Sequence, residues 1–244
     1  MNSNFDGFLT KIPIVTLYFT VTLIFTTALV SFRALNPKYI ILNWLFVYKN
    51  RHIWRIFTNY FFIGSFSINW IMSLVVFVQF STSLEHNMAF ARSKGSYLYF
   101  LFLQMVTIST LSLLFYWPIG YPILFESLHF SIVYYWSKLE KMTPISIYFI
   151  RVSGYQLPIL MCLFHLLTGG SILNDVMGLL AGHLYYYIRD LIPNGSNISI
   201  IKTPQLFDKI VTKMDEFISY LMSESRHNGI NQGGFRGRGV TLNS

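Results

Sequence analysis

The feature that most restricts this chain is the alternation of long apolar runs with short stretches holding most of its charge. Six runs can be drawn, over residues 12–32, 60–80, 97–115, 123–136, 145–167 and 171–193. At 1.5 Å of rise per residue, ~20 residues of helix cross the hydrocarbon core of a bilayer. In lipid each backbone N–H and C=O must find its partner within the segment, so the runs predict helices. Composition agrees. The chain is 53% hydrophobic and 11% charged, with a mean hydropathy of +0.48, whereas soluble domains carry about 25% charged residues. The expected architecture is an all-α membrane protein built as a bundle of six transmembrane helices.

A net charge of +8 raises the question of nucleic acid. The bases are scattered over loops and a tail, however, so a positive-inside distribution is the simpler account, and no nucleic-acid partner is expected. With six spans both termini lie on one side. That side holds Lys11, Arg92, Lys94, Lys138, Lys141, Arg151, Arg189, Lys202, Lys209, Lys213, Arg226, Arg236 and Arg238, against Arg33, Lys38, Lys49, Arg51 and Arg55 on the other, or 13 to 5. The count predicts cytosolic termini, although the five bases of the first connector pull the other way. Cys162 is the only cysteine, which excludes an intramolecular disulfide and a cysteine-based zinc site. Residues 1–11 are polar and the run that follows is of full membrane length, so no cleavable signal is expected.

The sixth run carries Gly178 and Gly182 four residues apart, leaving one helix face without side chains. Such a face lets a neighbouring helix approach closely, and packing is what drives association in lipid. Asp175 and His183 share the segment, and polar groups of that kind are expensive in hydrocarbon unless they face protein or water. Two readings stand side by side here: a packing helix with satisfied polar neighbours, or a catalytic helix. The connector over 33–57 holds Trp44, Tyr48 and Trp54 among its bases. Tryptophan, tyrosine and arginine concentrate at headgroup level, so this connector reads as a loop lying in the interface. Within it the Trp54–Arg55 pair is either an ordinary anchor or a guanidinium reaching phosphates or helix-end carbonyls.

Beyond residue 193 the character changes. Thr203–Pro204 is a helix start. Leu206, Phe207, Ile210, Val211, Met214, Phe217, Ile218 and Leu221 then recur at helical spacing opposite Asp208, Lys209, Lys213 and Glu216. This predicts an amphipathic helix that lies on the membrane or docks on a partner. From Ser223 the sequence is polar and glycine-rich and is expected to be disordered. Asn194 and Asn197 head formal glycosylation motifs that stay silent in a cytosolic tail. The division that results is an N-terminus over 1–11, a membrane domain over 12–192, a tail with its amphipathic helix over 193–222, and a disordered end over 223–244.

Several motifs fall in one order along this chain: Trp54-Arg-Ile-Phe-Thr58; Ser83-Leu-Glu85; Val133-Tyr-Tyr-Trp-Ser-Lys138; Tyr155-Gln-Leu-Pro158; the stretch from Gly170 to Tyr187; Pro193; and Lys202-Thr-Pro204. In this the chain resembles the derlin (Der1-like) family, rhomboid-like membrane proteins of endoplasmic-reticulum quality control. The resemblance implies a rhomboid-like six-helix fold and a first loop half-buried in the non-cytosolic leaflet, distorting the bilayer beside it.

A rhomboid protease needs a serine in a Gly-x-Ser-Gly setting at the start of its fourth helix and a histidine on its sixth, because an unassisted serine is a poor nucleophile. Here Ser127 has Phe125 and Leu128 where the motif wants glycines. The position of the protease histidine, three residues before the first glycine of the pair, is held by Asp175. His183 lies ~12 Å further along the helix, and His129 sits on another face of the helix from Ser127. Glu126 and Asp175 are either paired acids or members of a retained polar network. The reading is a pseudoenzyme with no cofactor and no metal.

The last informative stretch places Phe235 and Leu242 around Gly237 and Gly239. Two apolar anchors with glycines between suit an extended peptide laid against a partner's sheet edge; a basic tail for RNA or headgroups is the plainer alternative. The pattern looks like the SHP box, which implies binding of Phe235, Gly237, Gly239 and Leu242 to a AAA ATPase of the valosin-containing-protein class. A derlin-like chain is expected in the endoplasmic-reticulum membrane, helping retrotranslocate misfolded clients beside a membrane ubiquitin ligase complex, in contact with lipid and as a homo- or hetero-oligomer. The rival classes are an active intramembrane protease and a channel or transporter.

Overall fold

The first apolar helix, α1 (Ile14–Ser31), shows how the bundle is assembled in the computed structural model, which describes residues 12–147, 150–192 and 201–232. Its N-cap is Pro13, whose side chain offers no acceptor. The acceptor comes from another helix. Glu85, the last residue of α4 (Ile68–Glu85), takes the backbone N–H of Val15 at 3.0 Å and that of Thr16 at 2.9 Å. The Thr16 hydroxyl donates to the same carboxylate at 2.7 Å. A carboxylate at a helix N-terminus satisfies orphan donors and complements the macrodipole. Ser81 then links Thr16, at 2.8 Å, to the Tyr97 hydroxyl on α5 (Ser96–Phe115), at 2.6 Å.

Between α1 and α4 lie the short helices α2 (Trp44–Asn50) and α3 (Arg55–Thr58). Then, after α5, come α6 (Phe125–Leu139), the strands β1 (Pro144–Ile147) and β2 (Ile150–Ser153), α7 (Leu157–Leu167), α8 (Ile172–Tyr186) and α9 (Gln205–Gln232). A π-helical segment, Tyr187–Leu191, continues α8. Helix α6 is the centre. Every residue from Ser127 to Ser137 is buried, whereas a helix with one solvent or lipid face would bury a stripe. Around it pack Phe77, Phe80, Phe100, Tyr97 and Tyr60. Val21 and Phe25 of α1, Val106 of α5 and Ile159 of α7 point outward.

Each of the six apolar runs contains a helix. Three of them, α1, α4 and α5, are long and apolar enough to cross a membrane, while α6 has 15 residues and α7 has 11.

Three expectations need correction. The second run was drawn from residue 60, but α4 begins at Ile68 because the Ser67 hydroxyl accepts from the Trp70 N–H at 3.1 Å and caps it there. Tyr60 is instead folded inward, its hydroxyl bonded to the Met105 carbonyl at 2.9 Å. The fifth run is not one helix, and the protein is not purely α. Its first part is an antiparallel hairpin pairing Pro144 with Ser153 and Ile147 with Ile150, as suits the β-branched Ile145, Ile147, Ile150 and Val152. Helix α7 starts only at Leu157, with Pro158 in its first turn, where proline is tolerated. Finally, α9 runs through Ser223 to Gln232, past the predicted start of the irregular tail.

Replacing Glu85 by alanine leaves the first N–H groups of α1 without their acceptor. The expected loss is about 1–3 kcal/mol, read as a lower unfolding midpoint in detergent, with Glu85→Gln losing less. An unchanged midpoint in Glu85→Ala contradicts this account of α1.

Candidate functional site

The two glycines of the sixth run lie directly on α6. A Cβ on Gly178 would run into the Ser127 carbonyl oxygen, and it would stand 2.9 Å from the Phe130 Cβ. One on Gly182 would stand 3.0 Å from the Ser131 carbonyl oxygen. One turn of α8 therefore matches one turn of α6, so the two helices run parallel with backbones in contact. Close backbone contact of this kind is what small residues permit between helices in lipid. The carbonyls of Ser127 and Ser131 face the two glycines, and the Ser131 hydroxyl turns back to donate to its own Leu128 carbonyl at 2.7 Å.

Toward the start of α8 this seam opens into a buried polar cluster. Asp175 faces His165 of α7, with Oδ1 2.6 Å from Nδ1. Asn174 donates to Glu126 at 3.4 Å. Glu126 and Asp175 thus have different partners, Asn174 and His165. The His129 and His165 rings lie 6.4 Å apart, and His129 is also bordered by Phe77 and Phe125. The Ser127 hydroxyl, both His129 nitrogens, the Asn174 carbonyl oxygen and one Asp175 oxygen make no hydrogen bond to any described residue. Ser127 and His129 are thus neighbours without being a hydrogen-bonded pair. Among the described residues no group of three or more His, Cys, Asp or Glu is arranged to hold a metal ion.

His183 is elsewhere. Its Nδ1 is 2.8 Å from the Tyr134 hydroxyl, on the far side of Gly182 from Asp175. Further along, Arg189 donates to Tyr135 at 3.3 Å and Tyr185 at 3.2 Å, and to the Ala89 carbonyl. Its guanidinium covers the Phe90 ring at 4.5 Å. Asp190 accepts from Tyr135 at 3.0 Å.

The two members of the first-connector motif do different things. Trp54 is 50% exposed, whereas Arg55 is 4% exposed. The guanidinium donates to the Lys38 carbonyl at 2.7 Å, the Ile41 carbonyl at 3.0 Å and His52 at 3.3 Å, and lies over Phe46 at 5.1 Å. Arg55 therefore reaches backbone carbonyls and holds the connector closed on itself. Trp54 remains on the surface, where an interfacial anchor belongs. Asn59 extends the clamp, donating to the Arg55 carbonyl at 2.6 Å and accepting from the Leu124 N–H at the entry of α6 at 3.3 Å.

A model of the Der1-like family matches residues 12–205, the stretch that holds the seam, the cluster and the connector. The chain belongs to the Der1-like family. It is 30% identical to Derlin-1.2 of Zea mays over 90% of both chains. It is 32% identical to Derlin-1 of Arabidopsis thaliana over 84% of this chain and 77% of that one. With a probable derlin-2 homolog of Dictyostelium discoideum the identity is 26%, over 88% and 86%. With its apolar helices, this Der1-like chain is a membrane protein.

Sequence reasoning missed His165, Glu85 and Arg189 as partners. A signal for the first existed: His165 and Asp175 stand five residues either side of Gly170, so a tight turn there brings them together. Phe235, Gly237, Gly239 and Leu242 lie outside the described residues.

Since a methyl on Gly178 runs into the Ser127 carbonyl oxygen while one on Gly182 stands 3.0 Å from the Ser131 carbonyl oxygen, Gly178→Ala is expected to cost ~1–3 kcal/mol of stability and Gly182→Ala less. Unfolding of both variants in detergent checks the order, and equal or reversed effects count against the seam.

Proposed function

We propose that this chain is a non-catalytic Der1-like factor that helps move misfolded proteins from the endoplasmic reticulum to the cytosol, recruiting a AAA unfoldase through its C-terminal tail. The observation that carries the reading is the family match over residues 12–205 on a bundle whose helices differ in reach. At 1.5 Å per residue α7, whose Ile159 and Leu163 face outward, is ~16 Å long, against a hydrocarbon core of ~30 Å. A bilayer beside short helices thins to meet them, which lowers the barrier to a polar client. Glu126, at the partly exposed edge of the polar cluster, adds a group that a passing chain can contact.

Taken as six crossings, the helices put Glu85 and Val15 together at one end of the bundle, with Gly95 and Asp208 also meeting, at 2.7 Å. The opening of α1 and the docked part of α9 then lie at one end of the bundle, and the excess of bases supports a cytosolic position for that end. A ubiquitin ligase complex in the same membrane is the implied neighbour. Against a protease stand the unpartnered Ser127 hydroxyl and the engagement of His183 with Tyr134.

The full chain in detergent should capture the valosin-containing-protein class of unfoldase, and Phe235→Ala should weaken capture by about 2 kcal/mol, or ~30-fold. Capture unaffected by that change removes the tail from the motor link. In cells, turnover of a misfolded luminal client should be the same with Ser127→Ala. A transmembrane cleavage product that disappears with Ser127→Ala would instead identify a protease.

A further inference from the structure

Helix α9 carries two apolar stripes, and the bundle occupies one of them. At ~100° per residue, Phe207, Val211, Met214 and Ile218 fall within ~60° of one another. This stripe is docked. The Phe207 ring lies 5.0 Å from Tyr99 and 5.6 Å from Phe102, Val211 is 3% exposed, and the Tyr18 hydroxyl donates to the Met214 carbonyl at 3.3 Å. Asp208 accepts from the Gly95 N–H at 2.7 Å. A Cβ on Gly95 would collide with the Phe207 backbone, so α9 sits hard against the first turn of α5.

The second stripe comprises Leu206, Ile210, Phe217 and Leu221, again within ~60°. All four are exposed, Leu206 at 63% and Phe217 at 54%, with Tyr220 exposed beside them. The docked stripe borders it on one side. Lys209 and Lys213 border it on the other by the same helical geometry. Asp208 and Asp215 fall beyond the docked stripe, where Asp215 meets Lys94 at 3.4 Å, and Glu216 falls beyond Lys209.

What covers this stripe follows from where the helix is held. Its anchors, Tyr18, Tyr99 and Phe102, belong to the opening turns of α1 and α5, two helices long and apolar enough to cross a membrane. Phe102 and Val106 of α5 are themselves exposed outward, and Phe102 touches Phe207 of α9, so the apolar surface of α5 leads onto α9. A helix fixed at the end of two spans, apolar toward them and basic along its far edge, has the make-up of one lying in the headgroup region. Lysine stems there extend over apolar surface and place the ammonium on phosphates. We propose that the second stripe of α9 is inserted into the bilayer interface at that end of the bundle, with Lys209 and Lys213 on anionic headgroups. The amphipathic helix thus does both things its sequence allows: it docks on the protein and lies on the membrane.

The test uses the full chain with Cys162→Ala, reconstituted into phosphatidylcholine vesicles with and without phosphatidylserine. An environment-sensitive fluorophore is placed at Phe217→Cys on the stripe or at Ser219→Cys on the opposite, exposed face. A nitroxide near the lipid headgroup should quench the Phe217→Cys label at least ~threefold more than the Ser219→Cys label. Reversing charge with Lys209→Glu and Lys213→Glu should reduce that ratio in the phosphatidylserine vesicles. Equal quenching of both labels by aqueous iodide, with no lipid preference, overturns the proposal. So does a Phe217→Cys label shielded from both quenchers, which would mean that the stripe is covered by protein.

Discussion

The close approach of α6 and α8 is the constraint on which the rest of this structure depends. Helices in lipid gain little from leaving lipid, so their association rests on how closely they fit. Gly178 and Gly182 let the backbone of α8 lie on that of α6, and α6 thereby becomes a helix enclosed on every side. Once α6 is enclosed, its serines, histidine and tyrosines must be accommodated inside the protein. The serines turn onto their own helix, as Ser131 and Ser137 do. Tyr135 reaches the Arg189–Asp190 pair, and Tyr134 reaches His183.

The same economy of polar groups governs the connections. Glu85 serves as a cap for a helix that has none of its own, and Arg55 supplies donors to carbonyls of a connector that has little regular structure. In both cases a charged side chain completes backbone hydrogen bonding across a gap in the sequence. Leaving such groups unpaired in an apolar surrounding is costly, since neither lipid nor apolar side chains replace the lost partner. Around Ser127 and His129, where α6, α7 and α8 converge, several buried polar atoms find no partner among the described residues, as do both side-chain polar atoms of Gln104 on α5.

How much of this was legible in the sequence depended on the range of the interaction. The helices declared themselves through uncharged runs, and the glycine face through its spacing of four, because both are local properties of one segment. The start of α4 was misplaced because the aromatic residues around Tyr60 have the hydropathy of a span, while the capping hydroxyl of Ser67 that decides the boundary is a single atom. The hairpin at 144–153 was missed for a related reason: isoleucine and valine raise hydropathy equally in a strand and in a helix. Cross-helix partners such as Glu85 with Val15, or Arg189 with Ala89, have large sequence separations and leave no periodic trace. His165 and Asp175 are intermediate, since the turn between them fixes their pairing once it is recognised.

The attachment of α9 bears on how the molecule carries load. With 28 residues, this helix is ~42 Å long, and its contacts with the bundle through Phe207, Asp208, Val211 and Met214 fall in its first half. Tension applied to the far end of α9 therefore enters through α1 and α5. Neither of these helices contributes to the contact between Gly178 and Ser127. The fold thus separates the attachment of its last helix from the place where its helices fit most tightly.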